Sequence, residues 1–171
     1  MITPDKVPKR YVPSNLTKKD TRIIKFELNK SRQKYKKKKY YNRIFVKSYK
    51  YKPSQHILNA KQIYHLDKII PNKALSIKTG CSLSALKKIE NKGMGAYYSS
   101  GSRPNQTAKS WGRARLASAI TGGNSSIVDF DILKKGCKPN SLALKFASRT
   151  LYKTFKTRKI HKLRHVPSVS I

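Results

Sequence analysis

The chain has 171 residues and carries 40 Lys and Arg against 7 Asp and Glu, a formal net charge of +33. Two cysteines exclude a disulfide-stapled miniprotein, and no apolar run reaches the ~18–20 residues that a membrane-spanning helix needs. Prolines at 4, 8 and 13 and the lack of an apolar stretch mean that the N-terminus does not read as a secretory signal. Self-repulsion on this scale opposes compaction unless anionic partners offset it, so the acid deficit points outward, to a polyanion.

The charge is unevenly spread. Residues 1–52 hold 18 basic residues and 3 acids, residues 53–135 hold 13 and 4, and residues 136–171 hold 9 and none. This divides the chain into an extended basic arm (1–54), a small core domain (55–137) and a basic amphipathic helix with its tail (138–171). The expected fold class is α+β: a small, mostly helical core with one or a few short strands, flanked by those two basic pieces.

In the arm, Lys30–Lys52 has 11 basic residues, no acid and five tyrosines, with no sustained helical period. Ile44, Phe45 and Val46 form a β-prone patch suited to pairing with another strand. So charged a segment buries too little apolar area to offset its chain entropy, which predicts an extended arm ordered by a partner. In the core, Ile57–Ile70 places apolar residues at helical spacing and ends at Pro71. Ser82 caps a second helix carrying Leu83, Leu86 and Ile89, with Gly93 placed for a left-handed stop. A Gly- and Ser-rich loop, Gly93–Asn105, then leads to a third helix over Thr107–Ile120, ended by Gly122 and Gly123. The alternation in Ser126–Leu133 predicts a strand, with Val128, Phe130 and Ile132 on one side and Asp129 and Asp131 on the other. Finally, Ser141–Phe155 predicts a helix. Leu144, Ala147, Leu151 and Phe155 form its apolar stripe, and Lys145, Arg149 and Lys153 form a basic one.

Few residues suit catalysis. Asp129 and Asp131 could share a metal or divide acid and base roles, but among so many cations they read better as salt-bridge acceptors on a solvated strand face. The four histidines are scattered. Cys81 and Cys137 are far apart, no third thiol exists to complete a metal set, and they read as buried free thiols. Gly93, Gly95, Ser99, Ser100, Gly101 and Arg103 form a candidate anion-binding loop, though without the lysine and hydroxyl ending of a nucleotide-binding motif. The chain therefore reads as non-enzymatic, with no cofactor and no metal. The strongest candidate contacts for a polyanion are Lys30, Arg32, Lys34, Lys36, Lys37, Lys38, Lys39 and Arg43, with Lys145, Arg149 and Lys153 on the last helix. Tyr35, Tyr40, Tyr41, Tyr49 and Tyr51 interleave with those lysines, a pattern that suits stacking on unpaired bases.

One long string is distinctive. KGMGAYYSSGSRPNQTAKSWGRARLASAITGGNSSIVDFDILKKGC, with TGCSLSALKKIENKG before it, resembles an uncharacterised domain of nucleocytoplasmic large DNA viruses of the chlorella-virus, mimivirus and marseillevirus kinds. The resemblance covers roughly residues 72–137 and brings no known activity or catalytic residues. It implies a virus-encoded protein, made in the host cytoplasm and located in the virion. The expected role is a minor capsid protein on the inner side of the shell. Its partners would be the major capsid protein, other minor capsid proteins, and the anionic inner membrane or viral DNA. The alternative is a sequence-nonspecific DNA-binding or genome-condensing protein.

Overall fold

The computed structural model describes residues 7–50 and 52–157, residues 156 and 157 through their backbone only. A 3-10 turn at Lys9–Tyr11 precedes α1 (Lys18–Lys36), α2 (Gln55–Tyr64), α3 (Lys73–Thr79), α4 (Leu83–Ser99), α5 (Ala108–Ile120), α6 (Asn124–Val128), α7 (Phe130–Gly136) and α8 (Leu142–Thr157). Among the described residues there is no strand, so the α+β expectation is overturned in favour of an all-α fold.

Helix α5 is the axis. It packs against α2, α4, α6 and α8. Thr107 caps it, accepting from the Ser110 backbone while the Ser110 hydroxyl accepts from the Thr107 N–H. From Leu116 to Ile120 every residue is buried, because neighbours cover the helix on all sides and no polar face is needed. Leu75, Leu86, Ile89, Leu116, Ile120 and Leu133 are fully buried together in the main core. The closest approach is between α4 and α5. A Cβ on Gly93 would come within 2.7 Å of the Gly112 Cα, and one on Gly112 within 2.6 Å of the Glu90 carbonyl oxygen. Gly93 therefore does not stop a helix; it lets α4 run on to Ser99 and lie flush on α5.

The expected strand at 126–133 is two short helices meeting at Asp129. Ser126, Asp129, Phe130 and Leu133 face inward at helical spacing, whereas Val128 is 66% exposed. Inward-facing residues at both periods occur in this string, and packing against α5 and α8 selects the helical one. The predicted 57–70 helix ends early, at Tyr64, where His65 takes a left-handed conformation. The separate helix α3 follows, capped by Asn72 and terminated by Gly80 at φ 71°. Helix α8 forms where it was expected: Ala147 and Leu151 are buried, and Leu144 and Phe155 pack against the core.

The cysteines are not free. Cys81, just before α4, and Cys137, just after α7, form a disulfide. Two backbone bonds flank it, Ser82 N–H to the Gly136 carbonyl (2.7 Å) and Lys138 N–H to the Gly80 carbonyl (2.9 Å). They are 56 positions apart in sequence, and only the packing of α7 on α4 brings the two thiols together.

The expected extended arm contains a long helix, Lys18–Lys36, while the segment after it is not helical. Thr17 caps α1, and Ile24, Leu28 and Ser31 line its buried face beside Tyr11, Leu16 and Val46. The segment after α1 returns along the molecule, held by side chains in place of a paired strand. Glu27 accepts from Ile44 N–H (3.1 Å) and from the Tyr41 hydroxyl (3.0 Å), and Asp20 accepts from Ser48 N–H (2.9 Å) and its hydroxyl (2.6 Å). Asn105 accepts from Val46 N–H and donates to the carbonyls of Val46 and Tyr49. The β-prone patch at 44–46 thus has the Glu27 and Asn105 side chains where a neighbouring strand was expected.

Candidate functional site

The scarce acids point inward. Asp20, Glu27, Glu90 and Asp129 are all buried, leaving Asp67 and Asp131 as the exposed carboxylates among the described residues. Asp129 takes two hydrogen bonds from Arg115 (2.7 and 2.8 Å) and an ion pair from Lys92 at 2.6 Å. It ties α4, α5 and the α6–α7 junction together and shares no face with Asp131. Glu90 faces Arg113 across 3.8 Å. The serine bonds hold the Asp20 carboxyl below its ordinary pKa, the side-chain bond contributing most. Among the described residues no three His, Cys, Asp or Glu side chains gather as metal ligands would.

The cations point outward. Arg43 is the one buried Lys or Arg among the described residues. Its guanidinium donates to the Tyr97 carbonyl (2.7 Å), to Ser102 (2.6 Å) and to Ser31 (3.2 Å), and lies 3.7 Å over the Tyr97 ring. Burial pulls its pKa below the usual arginine value. Arg43, expected to contact a polyanion, instead locks the 41–48 segment onto α1 and α4. Arg32 is partly committed as well, donating to the Ser100 carbonyl at 2.9 Å. Lys30 and Lys34 lie 4.7 and 4.6 Å over the Tyr41 ring, and contact with Tyr41 raises the Lys30 pKa. Lys36, Lys37, Lys38 and Lys39 are exposed at the end of α1, and Lys145, Arg149 and Lys153 are exposed on α8.

The Gly- and Ser-rich candidate loop is mostly helix. Gly93, Gly95 and Ser99 belong to α4 and Ser100 caps its C-terminus, an end that presents carbonyl oxygens, unlike the N–H groups an anion requires. Gly101, at φ 107°, turns the chain against Leu28 and Tyr11, and Arg103 is exposed. These residues do not converge on one cradle.

A different constellation forms where α1 ends beside α4. Tyr35, Tyr40 and Tyr98 cluster there: Tyr40 lies 4.9 Å from Tyr98 and 6.2 Å from Tyr35, and the rings of Tyr35 and Tyr98 are parallel to within 9° at 6.4 Å. Tyr40 is 74% exposed. Partial burial pushes the Tyr98 phenol pKa up. Tyr35 also forms a wall of an open groove of about 780 Å³, which runs along α4 past Ser84, Lys87, Lys88, Asn91 and Lys92. Tyr41 is not part of the cluster, being bonded to Glu27, and Tyr49 packs against the N-terminal apolar cluster; Tyr51 lies outside the described residues. Tyr35 and Tyr40 belong to the tyrosine pattern visible in the sequence, whereas Tyr98, Lys87 and Lys88 lie outside it. The adjacent lysines at 87–88 were a visible cue, since Glu90, the nearest acid, turns into the core.

Fold and surface together define an all-α module whose exposed charges are almost all positive, and among the described residues no helix is long and apolar enough to cross a membrane. The chain belongs to DUF5824, a family of unknown function, which it matches over residues 3–135. That match takes in α1 and the segment after it, well upstream of the 72–137 stretch singled out in the sequence. No curated protein and no solved structure matches the chain.

Proposed function

We propose that this is a non-enzymatic, sequence-nonspecific nucleic-acid-binding protein, acting as a structural component inside the particle of a large DNA virus. The observation that carries the reading is the sorting of charge. Four carboxylates are buried, Asp20, Glu27 and Asp129 by internal hydrogen bonds and Glu90 facing Arg113, while every described Lys and Arg except Arg43 keeps surface exposure. The buried carboxylates are thus withdrawn from the surface, and the cationic exterior suits phosphates supplied from outside. Contacts of lysine with phosphate position a protein without reading sequence.

The test is fluorescence anisotropy with unrelated DNA sequences over a salt series. Affinity should fall at least a hundredfold between about 50 and 200 mM salt, as expected for several phosphate contacts, and should differ little between sequences. Absence of binding at the low-salt end would remove this reading.

A minor capsid component, the role expected first from the sequence, is the second reading, and α8 favours it. Leu142, Lys145, Arg149 and Tyr152 are exposed at spacings of one helical face, a mixed apolar and basic stripe suited to an acidic protein surface. Its N-terminal arm, however, is occupied in the fold, so capsomer cross-linking would fall to this stripe and the residues beyond it.

A further inference from the structure

We infer that the Tyr35–Tyr40–Tyr98 cluster and the adjoining lysine groove form a binding site for single-stranded nucleic acid, with bases on the tyrosines and the phosphate backbone along α4. This deepens the nucleic-acid reading above and rests on it. Two kinds of contact that a single strand needs lie side by side. Tyr35 belongs both to the aromatic cluster and to the groove wall, so a base on the rings places its own phosphate at the groove mouth. The shared orientation of Tyr35 and Tyr98 lets one base plane lie parallel to both rings. Tyr40, the most exposed of the three, offers a ring to solvent that the fold leaves uncovered.

The groove supplies the charge. Lys87 and Lys88 are exposed, and no carboxylate among the described residues forms an ion pair with either. Lys92 is held in place by Asp129 with its side chain 43% exposed, and Ser84 and Asn91 add neutral hydrogen-bonding groups. A duplex stacks its bases internally and cannot offer their faces to Tyr40, whereas an unpaired strand can. Stacking on ring faces is tolerant of base identity, because every base has a π-face. The same chemistry is present in single-stranded DNA and in RNA.

Anisotropy with the full chain and labelled oligothymidine, oligouridine and a blunt duplex, each of about 20 nucleotides per strand, tests the site at one fixed salt concentration. Tyr40→Ala should weaken single-strand binding by about tenfold, with duplex binding unchanged, and Tyr40→Phe should restore it. The pair Lys87→Ala and Lys88→Ala should make the salt dependence of single-strand binding shallower, by about 1.4 in log–log slope. Loss through Tyr40 on either the DNA or the RNA strand supports the site and identifies which it prefers. If the duplex binds while Tyr40→Ala changes nothing, or weakens all three ligands alike, the site is wrong and the general nucleic-acid reading survives. If none of the three binds at low salt, both fall.

Discussion

The N-terminal region, residues 7–50, and the helical core that follows it are held together by different forces. The core is closed by apolar burial around α5, with Leu116, Ala117, Ala119 and Ile120 all fully inaccessible. The N-terminal region has a small apolar cluster of its own, but its returning segment is fastened by discrete polar bonds to Asp20, Glu27 and Asn105 and by the Arg43 bond to the Tyr97 carbonyl. Apolar packing tolerates no local release without a cavity, whereas each polar latch can be removed singly. A chain so rich in lysine cannot build two large apolar cores, and it uses two of its seven acids, Asp20 and Glu27, to fasten the second region. That economy also strips the surface of negative charge.

The largest expected effect lies in the core. Leu116→Ala should cost about 2–5 kcal/mol and lower the midpoint of a single cooperative thermal transition seen by both far-ultraviolet circular dichroism and tyrosine fluorescence. A loss confined to one probe would mean that the two regions unfold independently. Arg43→Ala comes next, at about 1.5–3 kcal/mol, since it removes charged hydrogen bonds and leaves the Tyr97 carbonyl without its donor. Hydrogen exchange should then accelerate over residues 31–50 while α5 stays protected. Equal acceleration in α5 would show that the latch and the core are one unit.

The smallest effect is a pH dependence at Asp20. Its carboxyl titrates below its ordinary value of 3.8 because Ser48 donates to the charged form. The latch therefore contributes fully above that ordinary value and is lost as pH falls through the lower, folded-state one. Exchange at the Ser48 amide should rise on acidification in this range, and Asp20→Asn should abolish that dependence. A Ser48 amide indifferent to acid in the parent chain would remove Asp20 from the fastening.

Much of the fold's punctuation was legible. Thr107 and Ser82 act as helix caps where their positions suggested, and the apolar stripe of α8 packs as its spacing predicts. Helix α1 also had a readable start in Thr17-Lys18-Lys19-Asp20, an S/T-x-x-D/E pattern before apolar residues, obscured by the charge that follows. The strand expected at 126–133 failed for a different reason: alternation over eight residues competes with a helical period in the same string, and neighbours decide between them. Of the candidate site, Tyr35, Tyr40 and the terminal lysines of α1 were visible as a pattern, but their third ring and the groove lysines come from a helix that begins more than forty residues later.

By itself the sequence determined the sign and excess of charge, the main caps and the amphipathic last helix, because these act within one or two turns of chain. Tertiary structure alone decided which acids turn inward, that Cys81 meets Cys137, that Arg43 is a buried fastener, and that Tyr98 joins Tyr35 and Tyr40. Each of those outcomes depends on which elements distant in the chain come to lie side by side, so no local pattern in the chain could carry it.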